Sequence, residues 1–195
     1  MARQADRSAA TTRRLLDTAR MLFARDGYDR VSIDLIVAEA GLTKGAFYHH
    51  FASKQAVFER VLDEAQAGIA ARQAEGPGPA PGTPATRSLA LGAVGYLRLA
   101  NDPAIRRILL EDGPRVLGWE RWREIDDVHF AGRVRGALAR IMGVDAPLVE
   151  AATRVVLGAI MEAALASGRA DDPEAVVARY GETIERMLEG FAASR

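Results

Sequence analysis

GLTKGAFYHHF, residues 41–51, is the stretch of the sequence that decides the fold. It holds one of the two lysines of the chain and two of the three histidines, set among apolar and aromatic residues. That mixture suits a metal site, a packed core or contact with a polyanion. Neighbours on a helix diverge by about 100°, and helical metal sites place their histidines four residues apart. His49 and His50 are therefore poorly placed to share an ion, which leaves packing and polyanion contact.

Helix start and stop signals surround this stretch. Ser32 is placed to cap a short helix that ends near Ala40, and Thr43 to cap a second one that runs to about His50. Gly41 lies between them and permits a sharp reversal of the backbone. The pattern predicts two short helices joined by a tight turn, which is a helix-turn-helix.

The second of these helices has two different faces. Leu42, Phe47 and Phe51 supply apolar contacts that hold it across the first helix. The positions left to point outward are Lys44, Gly45, Ala46, Tyr48, His49 and His50. Such a face suits the major groove of DNA. Of the two histidines, His50 is expected to be the more buried.

Composition and charge place the chain in a broad class. It has 195 residues, 49% of them hydrophobic, and no cysteine, which excludes disulfides, thiolate catalysis and cysteine-bound zinc. Residues 1–60 carry ten Arg and Lys against seven Asp and Glu, and the remainder has the opposite balance, a weak indication of a polyanion partner at the front. Residues 155–168 are too short and too interrupted to span a bilayer. The expectation is a cytoplasmic protein that does not enter a membrane.

The chain is predicted to be all-α, with about nine helices, because no segment alternates with period two. Residues 76–86, with four prolines and three glycines, form a linker. It separates an N-terminal arm and helix-turn-helix domain (1–60, with a connecting helix to about 75) from a helical body (87–195). In the body we expect a helix over 87–100, a short one after Pro103, a long one from Pro114 to Met142, and two that start near Pro147 and Pro173.

The same residues resemble the TetR family of bacterial transcription regulators. The match is carried by residues 41–51, followed by Ser53-Lys54 and Val57-Phe58, and preceded at the family's spacing by an apolar run that leads to Gly27-Tyr28. It covers about residues 11–60. One departure is Val37, where the motif more often has alanine. The resemblance implies a three-helix DNA-binding module and a C-terminal domain for ligand binding and dimerisation.

The resemblance also implies roles for individual residues. Residues expected to meet phosphate are Ser32, Thr43, Tyr48 and Lys54, and Lys44 would reach phosphate or a guanine edge. Gly45 would let the backbone approach closely, Ala46 would pack against a thymine methyl group, and His49 and His50 would face the groove or the backbone. Four arginines of the N-terminal arm, Arg3, Arg7, Arg13 and Arg14, would add sequence-independent attraction.

In the body, two sets of residues are candidates for binding. The dimer interface is predicted on the last two helices, at Val155, Ala159, Ala163, Tyr180, Ile184, Met187, Leu188 and Phe191. An effector pocket is predicted from Tyr96, Leu109, Trp119, Trp122, Asp126 and His129. The competing interpretation of both sets is packing within one chain, with Asp126 and His129 as a surface pair.

The sequence therefore predicts a sequence-specific DNA-binding regulator, a dimeric repressor that a small molecule releases from a palindromic double-stranded operator. A ligand-independent regulator with a filled body is one alternative, and a helical adaptor that does not bind DNA is another. An enzyme is not expected, because the chain has no GxSxG, HExxH or phosphate-binding glycine motif. No cofactor and no metal are expected.

Overall fold

In a computed structural model, residues 2–143 and 146–193 are described, with the side chains of residues 2–5 and 146 excepted. Every regular element among them is helical, so the predicted all-α class is confirmed. The α-helices are α1 (Ala2–Asp26), α2 (Ile33–Glu39), α3 (Lys44–His50), α4 (Lys54–Glu75), α5 (Ala85–Ala100), α6 (Pro103–Arg106), α7 (Gly113–Leu117), α8 (Trp119–Met142), α9 (Ala146–Gly168) and α10 (Pro173–Ala193), with a π-helical turn at Arg107–Asp112 between α6 and α7.

The chain forms two compact units. The first contains residues 1–65 and 103–122, and the second contains residues 66–102 and 123–195. Two of the three divisions fall inside α4 and α8, and the third falls between α5 and α6. The proline- and glycine-rich segment joins α4 to α5 within the second unit. Residues 103–122 therefore pack with the N-terminal helices, although the sequence groups them with the body. The functional domain boundaries given above stay a prediction.

The first unit is built around aromatic side chains from α1, the loop after it and α4. The Phe23 and Phe58 rings lie 5.3 Å apart and nearly perpendicular, and the Tyr28 ring lies 5.1 Å from that of Phe58. Apolar residues of α2 and α3, including Ile36 and Phe47, complete this core with no solvent exposure. This core fixes the position of the short helices α2 and α3.

The π-helical turn is joined to the start of the chain by polar contacts. The carboxylate of Asp112 accepts a hydrogen bond from the main-chain N–H of Tyr28 at 2.8 Å, and the Arg107 guanidinium donates to the carbonyl of Arg25 at 2.7 Å. The indole N–H of Trp122 donates to the Leu109 carbonyl at 2.8 Å, inside the same unit. These bonds explain why residues 103–122 belong to the first unit.

One predicted helix is two helices in the structure. The expected element from Pro114 to Met142 is divided at Gly118, whose φ of 79° lies in the left-handed region that glycine accepts most readily. The N–H of Gly118 bonds to the Pro114 carbonyl at 3.0 Å and closes α7. The next helix starts at Trp119, so the prediction of one continuous helix was wrong.

The second unit packs α5 against α10 and α9. Gly181 of α10 is buried, and a Cβ at that position would lie 2.5 Å from Cγ2 of Val94 on α5. This glycine lets the two helix backbones approach closely. In the described parts of the chain, no helix is both long and apolar enough to cross a membrane.

Candidate nucleic-acid interface

The helix-turn-helix is held by capping bonds and one glycine. The hydroxyl of Ser32 accepts from the N–H of Leu35 at 3.1 Å, and that of Thr43 accepts from the N–H of Ala46 at 3.2 Å. Each bond satisfies a main-chain donor that a helix start leaves without an intrahelical partner. Gly41 has a φ of 60°, which makes the turn between the helices. The sequence predicted both caps and the turn.

The two faces of α3 separate as the sequence suggested. Phe47 has no solvent exposure, and Leu42 and Phe51 on either side of it are half-buried. Tyr48 is 57% exposed, which places most of its ring in solvent next to the buried Phe47. The other exposed residues are Thr43, Lys44, Gly45 and His49, with Ala46 half-buried among them. A polar and aromatic surface therefore covers one side of an anchored helix.

The two adjacent histidines differ in their surroundings. His49 is exposed, whereas His50 is half-buried and its Nδ1 is hydrogen bonded to the hydroxyl of Thr12 on α1 at 3.1 Å. The Thr12 hydroxyl also donates within α1 to the carbonyl of Ser8. Sequence reasoning missed Thr12, because a partner 38 residues away leaves no local signal. His50 thus ties the end of α3 to α1.

Lys44 is exposed and paired. Its ammonium lies 2.7 Å from the carboxylate of Asp34 on α2, and both side chains are mostly in solvent. The hydrogen bond to Asp34 raises the pKa of Lys44. Exposed pairs of this kind contribute little to stability. A phosphate can therefore take the place of Asp34 with little penalty.

Lys54 is held by contacts within the protein that the sequence did not suggest. Its Nζ donates to the carbonyls of Tyr28 and Val31, each at 2.9 Å, and lies 3.9 Å from the centre of the Tyr28 ring. Desolvation lowers the pKa of this lysine. Because two main-chain carbonyls and an aromatic face already surround the ammonium, the structure assigns Lys54 to the loop before α2. These contacts favour a structural role, and the phosphate contact predicted for Lys54 stays a prediction.

The N-terminal arginines lie on a helix, because α1 begins at Ala2. Arg13 bonds to both carboxylate oxygens of Asp17 and contacts Glu64 at 3.3 Å, so its charge is used within the first unit. Arg14 lies over the turn, since a Cβ on Gly41 would be 2.9 Å from its Nη2. Arg7 is exposed, and the Arg3 side chain lies outside the described residues. Because the four arginines lie on this helix, they do not form an extended arm.

The six residues predicted for an effector pocket are divided between the two units. In the first, Trp122 and Leu109 are core residues joined by the indole hydrogen bond, and Trp119 is 54% exposed. In the second, Tyr96 and Asp126 are buried and His129 is half-buried. The structure gives Asp126 a partner that sequence reasoning missed, the amide of Gln66 at 2.9 Å. Asp126 is thus a buried residue and not part of a surface pair.

The residues predicted for a dimer interface also divide into two groups. Ala163, Ile184 and Leu188 are at most 2% exposed within one chain, so they belong to its own core and their assignment to an interface is corrected. Val155 is 56% exposed. The remaining four, Ala159, Tyr180, Met187 and Phe191, are half-buried. Helical periodicity alone cannot tell which chain covers an apolar stripe.

Metal binding finds no support among the described residues, where no group of three or more histidine and carboxylate side chains is placed to hold an ion.

Two family models match the chain. Residues 15–61 match the model of bacterial regulatory proteins of the tetR family, and residues 86–191 match that of the tetracyclin repressor-like C-terminal domain. Together they cover both the helix-turn-helix and most of the helical body.

Individual proteins give the same result. The chain is 28% identical to the Transposon Tn10 TetC protein of Escherichia coli over 71% of its own length and 69% of that protein. It is 45% identical to the A-factor receptor protein of Streptomyces griseus over 64 residues, which are 33% of this chain and 23% of that one. A solved TetR-family transcriptional regulator from Pectobacterium atrosepticum superimposes with a TM-score of 0.75 and 27% identity, over 95% of this chain and 96% of that one.

Proposed function

Since the chain belongs to the TetR family of DNA-binding transcriptional regulators, and is therefore not an enzyme, we propose that it is a dimeric repressor that a small-molecule effector releases from a palindromic operator. The observation that carries this proposal is the exposed face of α3, held in place by the buried Phe47. A helix anchored on one side and polar on the other is the form in which helix-turn-helix proteins enter the major groove.

Each residue of this face is assigned a contact with DNA. Lys44 and the hydroxyls of Thr43 and Tyr48 bind phosphate oxygens, which fixes the register of the helix without reading sequence. His49 bonds to a base edge, and Ala46 packs against a thymine methyl group. Gly45 has no Cβ, so the sugar-phosphate backbone can approach the start of α3. His50, bonded to Thr12, positions the helix end and offers its outer edge to phosphate.

The release mechanism follows from linkage. A small molecule that binds the helical body more tightly when the protein is free of DNA lowers DNA affinity, and DNA lowers effector affinity by the same factor. The match of residues 86–191 to the tetracyclin repressor-like C-terminal domain supports repression.

The first experiment identifies the operator. Purified protein is used to select bound fragments from genomic DNA, and the recovered sites are footprinted. We expect an inverted repeat with half-sites about one helical turn apart, because a two-fold symmetric dimer presents two recognition helices. Recovery of no enriched sequence, or of single half-sites only, would contradict the proposal.

Lys44 provides a sharper test on that operator. Replacing Lys44 by Ala removes one phosphate contact, so the slope of log K against log salt concentration should become shallower by about 1, and affinity should fall similarly for all sequences. His49→Ala is the matched variant on the same helix and should change the preferred sequence instead. A salt slope unchanged in Lys44→Ala would remove this residue from the phosphate contacts.

A further inference from the structure

An acidic side chain lies beside the helix that is proposed to enter the major groove. Asp34 is in the first turn of α2, and its Oδ1 lies 2.7 Å from the Nζ of Lys44, the first residue of α3. Both side chains are mostly exposed, at 66% and 60%. Residues 44–50, which form α3, include no acidic residue of their own. The ion pair therefore brings a negative charge from α2 to the start of α3.

The main chain at Asp34 is fixed by the fold, whereas Lys44 reaches the pair through a flexible stem. Helix α2 is anchored by Ile36, which has no solvent exposure, and is capped by the hydroxyl of Ser32. The lysine stem has four carbons and can turn its ammonium to another partner. When Lys44 turns to a phosphate, the carboxylate of Asp34 stays at the surface that faces the DNA.

A carboxylate at this surface meets one of two surroundings. Next to phosphates it is repelled, because the charges are alike. At a base edge it can accept a hydrogen bond from the N4 amino group of cytosine, which the major groove presents. The first residues of a recognition helix are those that contact base edges, and Asp34 touches the first residue of α3. A cytosine is therefore the partner on DNA that can replace Lys44 on this carboxylate.

We propose that Asp34 is a specificity-determining residue that accepts a hydrogen bond from one cytosine in each operator half-site, and that its pairing with Lys44 lowers the affinity for other DNA. On the operator, Lys44 moves to a phosphate and the cytosine takes its place. On DNA without a cytosine at that point, Lys44 stays with Asp34 and the phosphate loses its partner. A penalty against the wrong sequence contributes to specificity as much as a bond to the right one. This inference rests on the proposed DNA-binding function and adds a base that α2 reads.

The first test measures base preference. Full-length wild type, Asp34→Ala and Asp34→Asn are each used to select from a library of duplexes with a randomised segment. In the wild-type sites we expect a cytosine whose replacement lowers the affinity about tenfold. Asp34→Ala should lose the preference at that position alone. Asp34→Asn should favour adenine there, because asparagine pairs with N6 and N7 of adenine. An unchanged preference in Asp34→Ala, or a uniform loss at all positions, would overturn the proposal.

The second test measures affinity for DNA that contains no cytosine, an alternating dA-dT duplex. In about 0.1 M salt, Asp34→Ala should bind it about tenfold more tightly than the wild type. The slope of log K against log salt concentration should become steeper by about 1, because Lys44 is free to reach a phosphate. Adding Lys44→Ala should remove the steeper slope.

Asp29→Ala is the matched control for this change of charge. Asp29 is also exposed and paired, at 2.8 Å from the Arg115 guanidinium, and belongs to the same unit as Asp34. Its removal changes the net charge equally and should leave the salt slope as in the wild type. An equal gain in affinity and slope for the two alanine variants would overturn the proposed role of Asp34.

The fold of the variants and the DNA-binding function are checked separately. Because an exposed ion pair contributes little to stability, the unfolding midpoint and circular dichroism of Asp34→Ala should stay close to those of the wild type. If wild type and Asp34→Ala enrich the same sequence equally well, the role of Asp34 is overturned and the DNA-binding regulator stands. If the wild type enriches no sequence, the proposed function fails, and this inference fails with it.

Discussion

The Nζ atom of Lys54 lies 2.9 Å from two main-chain carbonyl oxygens, those of Tyr28 and Val31, while Lys44 ten positions earlier meets only the exposed carboxylate of Asp34. Hydrogen bonds from a charged donor to buried carbonyls are among the stronger ones in proteins. An exposed ion pair contributes little, because solvent screens it and both side chains lose freedom. At the scale of single residues, these different surroundings lead us to expect a structural role for Lys54 and a DNA contact for Lys44.

Replacing Lys54 by Ala should therefore destabilise the protein. It leaves two carbonyls before α2 without their donor, and we expect a loss on the order of 1–3 kcal/mol in the free energy of unfolding, measured by urea denaturation. The salt slope of operator binding should stay as in the wild type. Lys44→Ala is the control and should show the reverse, an unchanged unfolding midpoint and a shallower slope. A shallower slope for Lys54→Ala at full stability would restore this lysine to the DNA contacts.

The raised pKa of Asp126 predicts that the stability of the fold depends on pH. Its pKa is about 6 in the folded protein and about 4 in an unfolded chain. Between these values the folded state holds the proton more tightly, so stability present below pH 4 is lost as pH rises to 6, by about 3 kcal/mol at most. The groups that act on Asp126 are Asp127, Arg123 and His129 on α8, Gln66 on α4 and Tyr96 on α5.

Asp126→Asn removes this titration and keeps an oxygen for the Gln66 amide. We expect the variant to gain stability relative to the wild type between pH 4 and 6, and to keep that gain at pH 8. Urea denaturation of both proteins across this range measures the difference, in which the titration of other groups cancels. A difference that does not change with pH would mean that Asp126 is not held in a desolvated state.

At the scale of elements, the sequence predicts those features that depend on neighbouring residues, such as helix caps and tight turns. The Ser32 and Thr43 caps and the turn at Gly41 depend on residues only a few positions apart, and all three were predicted. The division at Gly118 was missed although a glycine that caps a helix C-terminus is a local signal. The π-helical turn was not predicted, because it depends on packing between distant segments, such as the Asp112 bond to Tyr28 across 84 residues. The buried set on α10 was mistaken for an interface for the same reason, since periodicity identifies a face but not its partner.

The contact between α5 and α10 can be tested at Gly181. A methyl group there would lie 2.5 Å from Cγ2 of Val94, so Gly181→Ala should destabilise the protein by about 1–3 kcal/mol through overpacking. Adding Val94→Ala should recover much of that loss. Gly190 is exposed on the same helix, and a Cβ added there would meet no atom within 4 Å, so Gly190→Ala should instead stabilise the protein by up to about 1 kcal/mol. Equal unfolding midpoints for the two alanine variants would exclude close packing at Gly181.

At the scale of the whole molecule, the proposed dimer brings a second copy of α3 to the operator, and we propose that the exposed side of α9 joins the two chains. Leu148, Ala151, Val155, Gly158 and Glu162 are exposed at intervals of three and four residues. They form one stripe of mostly small and apolar side chains. Leu148 and Val155 are each more than half exposed, at 54% and 56%. Small residues on such a stripe let two helices from different chains approach closely.

Val155→Arg tests this arrangement, with Val128→Arg as its control. Both valines are exposed on helices of the second unit, at 56% and 79%, so neither change disturbs the core of one chain. Val155→Arg should place two like charges at the centre of the symmetric contact, and light scattering after gel filtration should then show monomers.

A monomer has one recognition helix and can hold only one half-site. Operator affinity should therefore fall by more than about a hundredfold, because the second, linked contact is lost. Val128→Arg should remain a dimer with wild-type affinity. A dimer of Val155→Arg that binds the full operator would show that another surface joins the two chains.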